Sequence, residues 1–308
     1  MIRAILCCGL FMLQLHAKEP FEAKFGLYIN DIYNIDVSKK TVDVLAYAWW
    51  NTPETNPSTA KMKVVNAIES GIDSVNFGSS KDKKQGSVFA SLKIRAKVNM
   101  DSSNYPFDRH KLFLVFENPF AKASEQLLKA SNVGPFVAKD LMIDGWEITG
   151  TNVKEEKHVY STNFGEESAK QNAHSRLVYE IDVKRDSSWY IFLREYSGFY
   201  LGFLIIVLGF LVPTRDQMSR ISLSLAAMFA IFTTHRFTIS TLNCWSFSLT
   251  DAISLSSFLA AIASIYVCVF AGFIKNDKVA RTYDLSSFAI VVLTYLSYNI
   301  LMITKAIG

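Results

Sequence analysis

Two kinds of hydrophobic pattern divide this chain. From residue 91 to 98 the alternation is strict, with Leu92, Ile94, Ala96 and Val98 on one side and Ser91, Lys93, Arg95 and Lys97 on the other; this predicts a half-buried β-strand. Leu177, Tyr179, Ile181 and Val183 repeat the period against Val178, Glu180 and Asp182. Further strands are predicted near 25–33, 41–50, 111–117, 146–153 and 156–161, with turn-forming clusters at 51–58, 78–86, 101–104 and 163–175 between them. Short strands at that spacing predict an all-β, immunoglobulin-like antiparallel sandwich of about ten strands over residues 18–188. The last third reads differently. Apolar runs occupy 197–212, 221–239, 253–274 and 285–303, and they predict a four-helix transmembrane bundle over 189–308, with helices at about 193–212, 219–240, 251–274 and 284–304.

The second apolar run is not uniform. Ser222, Ala226, Phe229, Thr233, Phe237 and Ser240 recur in steps of three and four, so they share one helical face while Leu223, Leu225, Met228, Ile231 and Phe232 occupy the others. At about 1.5 Å per residue the run spans roughly 28 Å, the thickness of a hydrocarbon core. Two readings of the stripe are open at this level: small hydroxyl residues packing helix on helix, and the wall of an aqueous pore.

Charge sets an orientation. Arg215 and Arg220 lie between the first two runs and Lys275, Lys278 and Arg281 between the last two, whereas 241–252 carries no Lys or Arg. By the positive-inside rule the first and third loops are cytoplasmic, which places the sandwich, the second loop and the C-terminus outside the plasma (inner) membrane. Residues 1–17 agree: Arg3, an apolar stretch over 4–13 and the ending Leu15, His16, Ala17 predict a secretory signal cleaved near Ala17. The apolar stretch before Cys7 and Cys8 is too short for a lipoprotein signal.

The four Cys are these two, Cys244 and Cys268, so the exported domain folds without a disulfide. A net charge of +4 is modest and nothing points to nucleic acid. The tract 81–84 reads as a solvated loop tip. HExxH, GxSxG, P-loop and CxxC patterns are missing, and His110, His158, His174 and His235 lack metal-ligand spacing. Glu155, Glu156, Glu166 and Glu167 sit in hydrophilic stretches. The expectation is a non-enzymatic protein with no metal and no cofactor.

One short constellation is more specific. Tyr105, Pro106, Phe107 and Asp108, ahead of an apolar strand over 112–116, resemble the signature loop of the pentameric ligand-gated ion channels, the Cys-loop receptor superfamily. No Cys occurs at 99–101 or 117–119, which is similar to the bacterial branch that lacks the disulfide. Other features follow in a similar order: a strand with its Trp at 42–50, the strands over 86–99, the turn at Gly145, Trp146 and Glu147, Arg185 ahead of Trp189 and Tyr190, then Pro213 and Arg220. The chain departs from the family at the start of the first run and after the second run, where a characteristic Pro is missing, and within 51–63, where the family's Trp, any residue, Pro motif is missing.

The resemblance implies a homopentamer in the lipid bilayer, opened by a small-molecule agonist or a proton and passing inorganic ions. It implies a pore lined by Ser222, Ala226, Phe229, Thr233, Phe237 and Ser240, with Phe229 as an apolar constriction and Arg220 and Arg236 as charged mouths. Whether Arg236 or Phe237 faces the lumen stays open, as does the sign of the permeant ion. A ligand pocket between adjacent sandwiches would draw on Asn66, Glu117, Asn118, Tyr160, Phe164 and His174, with Tyr47 and Lys93 from the neighbour; aromatic and acidic groups together suit an ammonium ligand. Gating would couple Asp108 to Arg185, with Phe107 docking near Leu249, Thr250 and Asp251. The alternatives are a non-conducting membrane-anchored sensor and a periplasmic binding protein or enzyme.

Overall fold

A computed structural model describes residues 19–53, 61–79, 85–131, 136–165, 172–242 and 246–308, without the side chains of 72–79, Gln85 and Thr241. The predicted signal over 1–17 with Cys7 and Cys8, the tract 81–84, Glu166, Glu167 and Cys244 lie outside the described residues.

The first part is built of β1 (Phe21–Asp36), β2 (Thr41–Pro53), β3 (Lys63–Val64), β4 (Ala67–Ser79), β5 (Gln85–Lys97), β6 (Arg109–Glu117), β7 (Gln126–Ala130), β8 (Trp146–Tyr160) and β9 (Asn172–Arg185). They form two sheets, in the orders β4-β5-β2-β1-β7 and β3-β6-β9-β8. The period-2 rows close between them into one core: Phe25, Ile29 and Ile94 from the first sheet meet Leu112, Phe116, Leu177 and Tyr179 from the second. Phe25 sits at the centre, its ring 4.7 Å from Phe116 and 5.7 Å from Trp50.

The expected fold class needs correction on two points. The described residues hold nine strands rather than about ten, and β7 joins β1 in parallel, Phe21 opposite Gln126 through Phe25 opposite Ala130, so the first sheet is mixed. The two strands expected at 146–153 and 156–161 are one, β8, which absorbs its irregularity in a bulge between Ile148 and Gly150. Strand β4 escapes the alternation test because it carries Gly71 and Gly78 and slips register twice against β5.

The second correction concerns the helices α1 (Ser188–Leu211), α2 (Gln217–Leu242), α3 (Leu249–Phe273) and α4 (Asp277–Ile307). Three of them, α1, α3 and α4, are long and apolar enough to cross a membrane. Helix α2 is not among them: Ser219, Arg220, Ser222, Ser224, Thr233, Thr234, His235 and Arg236 dilute its apolar content, and the expected bundle of four apolar spans is therefore not what the chain forms. Helix α3 opens on a reciprocal capping box between Ser248 and Asp251, and α4 opens under Asn276, which accepts from Lys278 and Val279 amides.

Glycine lets α1 lie directly on α2. A Cβ at Gly198 would collide with the Thr234 side chain, and one at Gly202 would lie 2.6 Å from Ile231 Cγ1 and 3.3 Å from the Ala227 carbonyl. Four residues apart, the two glycines share one face of α1, so the backbones approach as closely as small residues allow.

Candidate functional site

The β6–β9 ladder runs to Arg109 opposite Lys184, which leaves Asp108 and Arg185 facing each other just past its end. Arg185 Nε donates to Asp108 Oδ1 at 2.7 Å and Nη2 to Oδ2 at 2.9 Å. His110 Nε2 lies 2.8 Å from the same Oδ2. Asp108 is buried, and burial by itself would raise its carboxyl; the hydrogen bonds from His110 and Arg185 overcome that and hold it down at about 2. The Arg185 guanidinium lies 4.9 Å over the Tyr105 ring and 4.3 Å over Trp146.

The loop ahead of β6 is thus fixed from above, and below it enters the helical core. Tyr105 packs among Phe192, Tyr196, Leu249 and Ile253. The Tyr105–Pro106 peptide is cis. Leu249 N donates to Ser103 O at 2.8 Å. Phe107 is half-buried against the same cluster, its ring 5.0 Å from Trp189 and 5.6 Å from Phe192, both on α1. Thr250 is bonded to Tyr196 and Asp251 is engaged in the α3 cap.

Helix α2 has two faces. Arg220, Ser224, Ala227, Ile231 and Thr238 are buried, at spacings that form one stripe against α1 and α3. Ser222, Ala226, Thr233 and Ser240 on the opposite stripe are exposed; Phe229 at 74 % and Phe237 at 66 % exposed bury little of their rings within the chain. The hydroxyls of Thr233 and Ser240 turn back to the carbonyls of Phe229 and Phe237, so this face presents little unpaired polarity. Arg236 is exposed beside Phe237.

Arg220 is a correction. Its side chain is 2 % exposed and its Nη2 donates to Asp284 Oδ1 of α4 at 2.5 Å. Nε donates to Gly209 O at 3.0 Å, where it caps the end of α1. Arg220 is therefore a tie between α1, α2 and α4 and not a charge at a pore mouth. The basic residue at the preceding turn, Arg215, pairs with Asp277, while Asp216, exposed, accepts from Ser219 N at the head of α2.

The residues expected at a ligand pocket fall into two groups. Glu117, Asn118 and His174 are buried and internally engaged. Arg176 Nε donates to Glu117 Oε2 at 2.5 Å, Tyr160 OH to Glu117 Oε1 at 2.7 Å, and Arg176 Nη2 to Tyr160 OH at 2.9 Å. Burial and the Glu117 carboxylate push the Tyr160 phenol up. His174 Nδ1 lies 3.2 Å from Asn118 O and Nε2 2.9 Å from Asn172 Oδ1. Asn66 is structural: its amide donates to Lys97 O and Phe113 O and accepts from Val115 N, stitching the two sheets together.

What remains open to solvent is aromatic. Phe164 is exposed, in edge contact with Tyr160 at 5.1 Å, and His158 stands 4.6 Å from Tyr160. On the other sheet Tyr47 and Phe89 form an exposed pair at 5.4 Å, with Lys93 5.9 Å over Tyr33. The acidic half of the expected ammonium site is thus paired with Arg176, while the aromatic side chains Phe164, Tyr47 and Phe89 lie at the surface.

Four functional candidates were missed in the sequence: His110, Arg176, Tyr196 and Asp284. Asp284 alone carried a usable signal, an acid directly at the head of an apolar run, where it needs a partner; Arg220 was the basic residue to test against it. Arg176 was hidden at the polar edge of an alternating strand. No family model and no curated protein matches this chain.

Proposed function

We propose that this chain is a subunit of a homopentameric ligand-gated ion channel of the plasma membrane, with its two-sheet domain outside. The observation that carries the proposal is the outward face of α2, where Ser222, Ala226, Phe229, Thr233 and Ser240 are exposed while the opposite face, from Arg220 to Thr238, is packed. A face of small hydroxyl residues and rings suits water or further copies of the helix beside it. A ring of subunits supplies both, and the resemblance of Tyr105 to Asp108 to the pentameric channels supplies the number. In that ring Phe229 forms an apolar constriction that closes the path by dewetting. The agonist seat lies between Tyr160 and Phe164 of one subunit and the Tyr47 and Phe89 surface of the next, where a quaternary ammonium is held by ring faces. Asp108 and Arg185 carry its effect to the helices.

The test is ion flux in proteoliposomes of the purified protein, with cation- and anion-sensitive dyes, under a pH series and a tetramethylammonium series, alongside mass measurement in detergent. Stimulated flux from five-subunit particles is expected. Folded protein that passes no ion under any condition, or that is monomeric, overturns the proposal.

A further inference from the structure

Tyr196 is completely buried on α1, yet its hydroxyl is fully used. It lies 2.7 Å from the Tyr105 carbonyl oxygen and 2.8 Å from Thr250 Oγ1. Because a carbonyl can only accept, the single phenolic proton goes to Tyr105, and the Thr250 hydroxyl must donate to the phenol oxygen. The result is a directed chain, Thr250 to Tyr196 to Tyr105, in which one oxygen joins the 101–108 loop, α1 and the first turn of α3. Thr250 is 0 % exposed, so a break leaves buried polar groups with no water to turn to. Beside it Leu249 N holds Ser103 O at 2.8 Å, and the Arg185 guanidinium lies 4.9 Å over the Tyr105 ring.

We infer that Tyr196 is a positioning residue for gating: its hydroxyl locks the loop between β5 and β6 to the α3 end of the junction, so that the loop and helices α1 and α3 move as one body. The inference rests on the channel reading for its functional consequence and on the hydrogen-bond chain alone for the mechanical one. The Asp108–Arg185 pair holds the loop to β9; the Tyr196 chain holds it to the helices. Loss of either leaves agonist binding intact and uncouples it from the pore.

The experiment compares full-length wild type with Y196F, T250V and T250S in two readouts. Hydrogen exchange is followed at 101–107 and 249–253, and flux is driven by protons and by tetramethylammonium. Y196F and T250V are expected to speed exchange of both segments together by about tenfold and to shift half-activation by a similar factor, whereas T250S, which keeps the hydroxyl, matches wild type. The Y196F/T250V double variant adds nothing to Y196F, since both act on one chain.

Unchanged exchange in folded Y196F and T250V overturns the mechanical inference whatever the channel does. Changed exchange with unchanged gating in a conducting wild type overturns the functional one. A wild type that conducts under no stimulus sinks the channel reading and the gating role with it, while the exchange result still decides whether the chain holds the loop.

Discussion

Arg185 grips Asp108 with two hydrogen bonds of 2.7 and 2.9 Å while His110 Nε2 lies 2.8 Å from the same carboxylate. The arrangement keeps the buried carboxyl ionised to about 2 against an ordinary 3.8. A group whose folded value is depressed contributes stability that is complete above the unfolded value and disappears as pH falls through the folded one. Asp108 should therefore contribute about 2 kcal/mol at neutral pH, lost progressively on acidification below about pH 4. Denaturant melts followed by tryptophan fluorescence across that range check it: D108N should lack this acid limb. An identical acid limb in D108N removes Asp108 as its source.

The pair also predicts strong coupling. D108N or R185Q alone leaves one buried partner unsatisfied, a loss of about 3 kcal/mol, and the two changes together should cost much less than their sum. A double-mutant cycle on stability should give an interaction of about 1–3 kcal/mol. Additivity across the cycle would mean that the two groups, though in contact, do not depend on each other.

Why some of this was legible and some was not follows from what a sequence pattern records. The rows Leu92 to Val98 and Leu177 to Val183 announce themselves because one face is buried, and Ile94, Ala96, Leu177 and Ile181 are indeed in the core. Strand β4 has no such row because glycines and bulges interrupt it, and β7 is only five residues. Apolar runs mark α1, α3 and α4 plainly. Helix α2 looked like a fourth span because length and local apolarity were weighed without the polar and charged side chains threaded through it. Pairing was the larger blind spot. Glu117 reads as a free acid until β9 brings Arg176 beside it, and Arg220 reads as a surface charge until α4 brings Asp284, because partners distant in sequence leave no local trace.

The Glu117 cluster gives a third prediction. R176Q strands Glu117 in a buried site and should destabilise the two-sheet domain by about 3 kcal/mol, while Y160F, which removes one hydrogen bond, should cost about 1 kcal/mol. Pairing E117L with R176M should restore most of the R176Q loss. Urea unfolding of the three variants measures this; a mild R176Q would show that Glu117 finds solvent after all.

Phe229 is exposed on α2 with its apolar ring turned outward. If five such rings close the pore by excluding water, F229A widens the constriction and admits a hydrated ion. Resting flux in the absence of any agonist should rise at least about tenfold over wild type. Proteoliposomes that stay as tightly shut at rest as wild type would place the gate elsewhere on the helix.

Arg220 and Arg236 sit at opposite ends of α2 and should behave oppositely in selectivity. Arg220 is 2 % exposed and its charge is met by Asp284 at 2.5 Å, so an ion in the lumen sees a neutral pair behind a wall. Arg236 is exposed, and five copies would raise the potential at the outer mouth within a Debye length of about 8 Å. R236Q should therefore shift the reversal potential under a salt gradient toward cations, by about threefold or more in the permeability ratio. R220M combined with D284L replaces the buried pair by side chains of similar volume, which keeps the helices together, and should leave the reversal potential where it is. Breaking the pair singly, as R220Q, should instead lower stability by about 3–5 kcal/mol by stranding Asp284. A reversal potential that moves with R220M/D284L and ignores R236Q would mean that α2 is rotated about its axis in the assembly, with the face now packed on α1 turned to the ions.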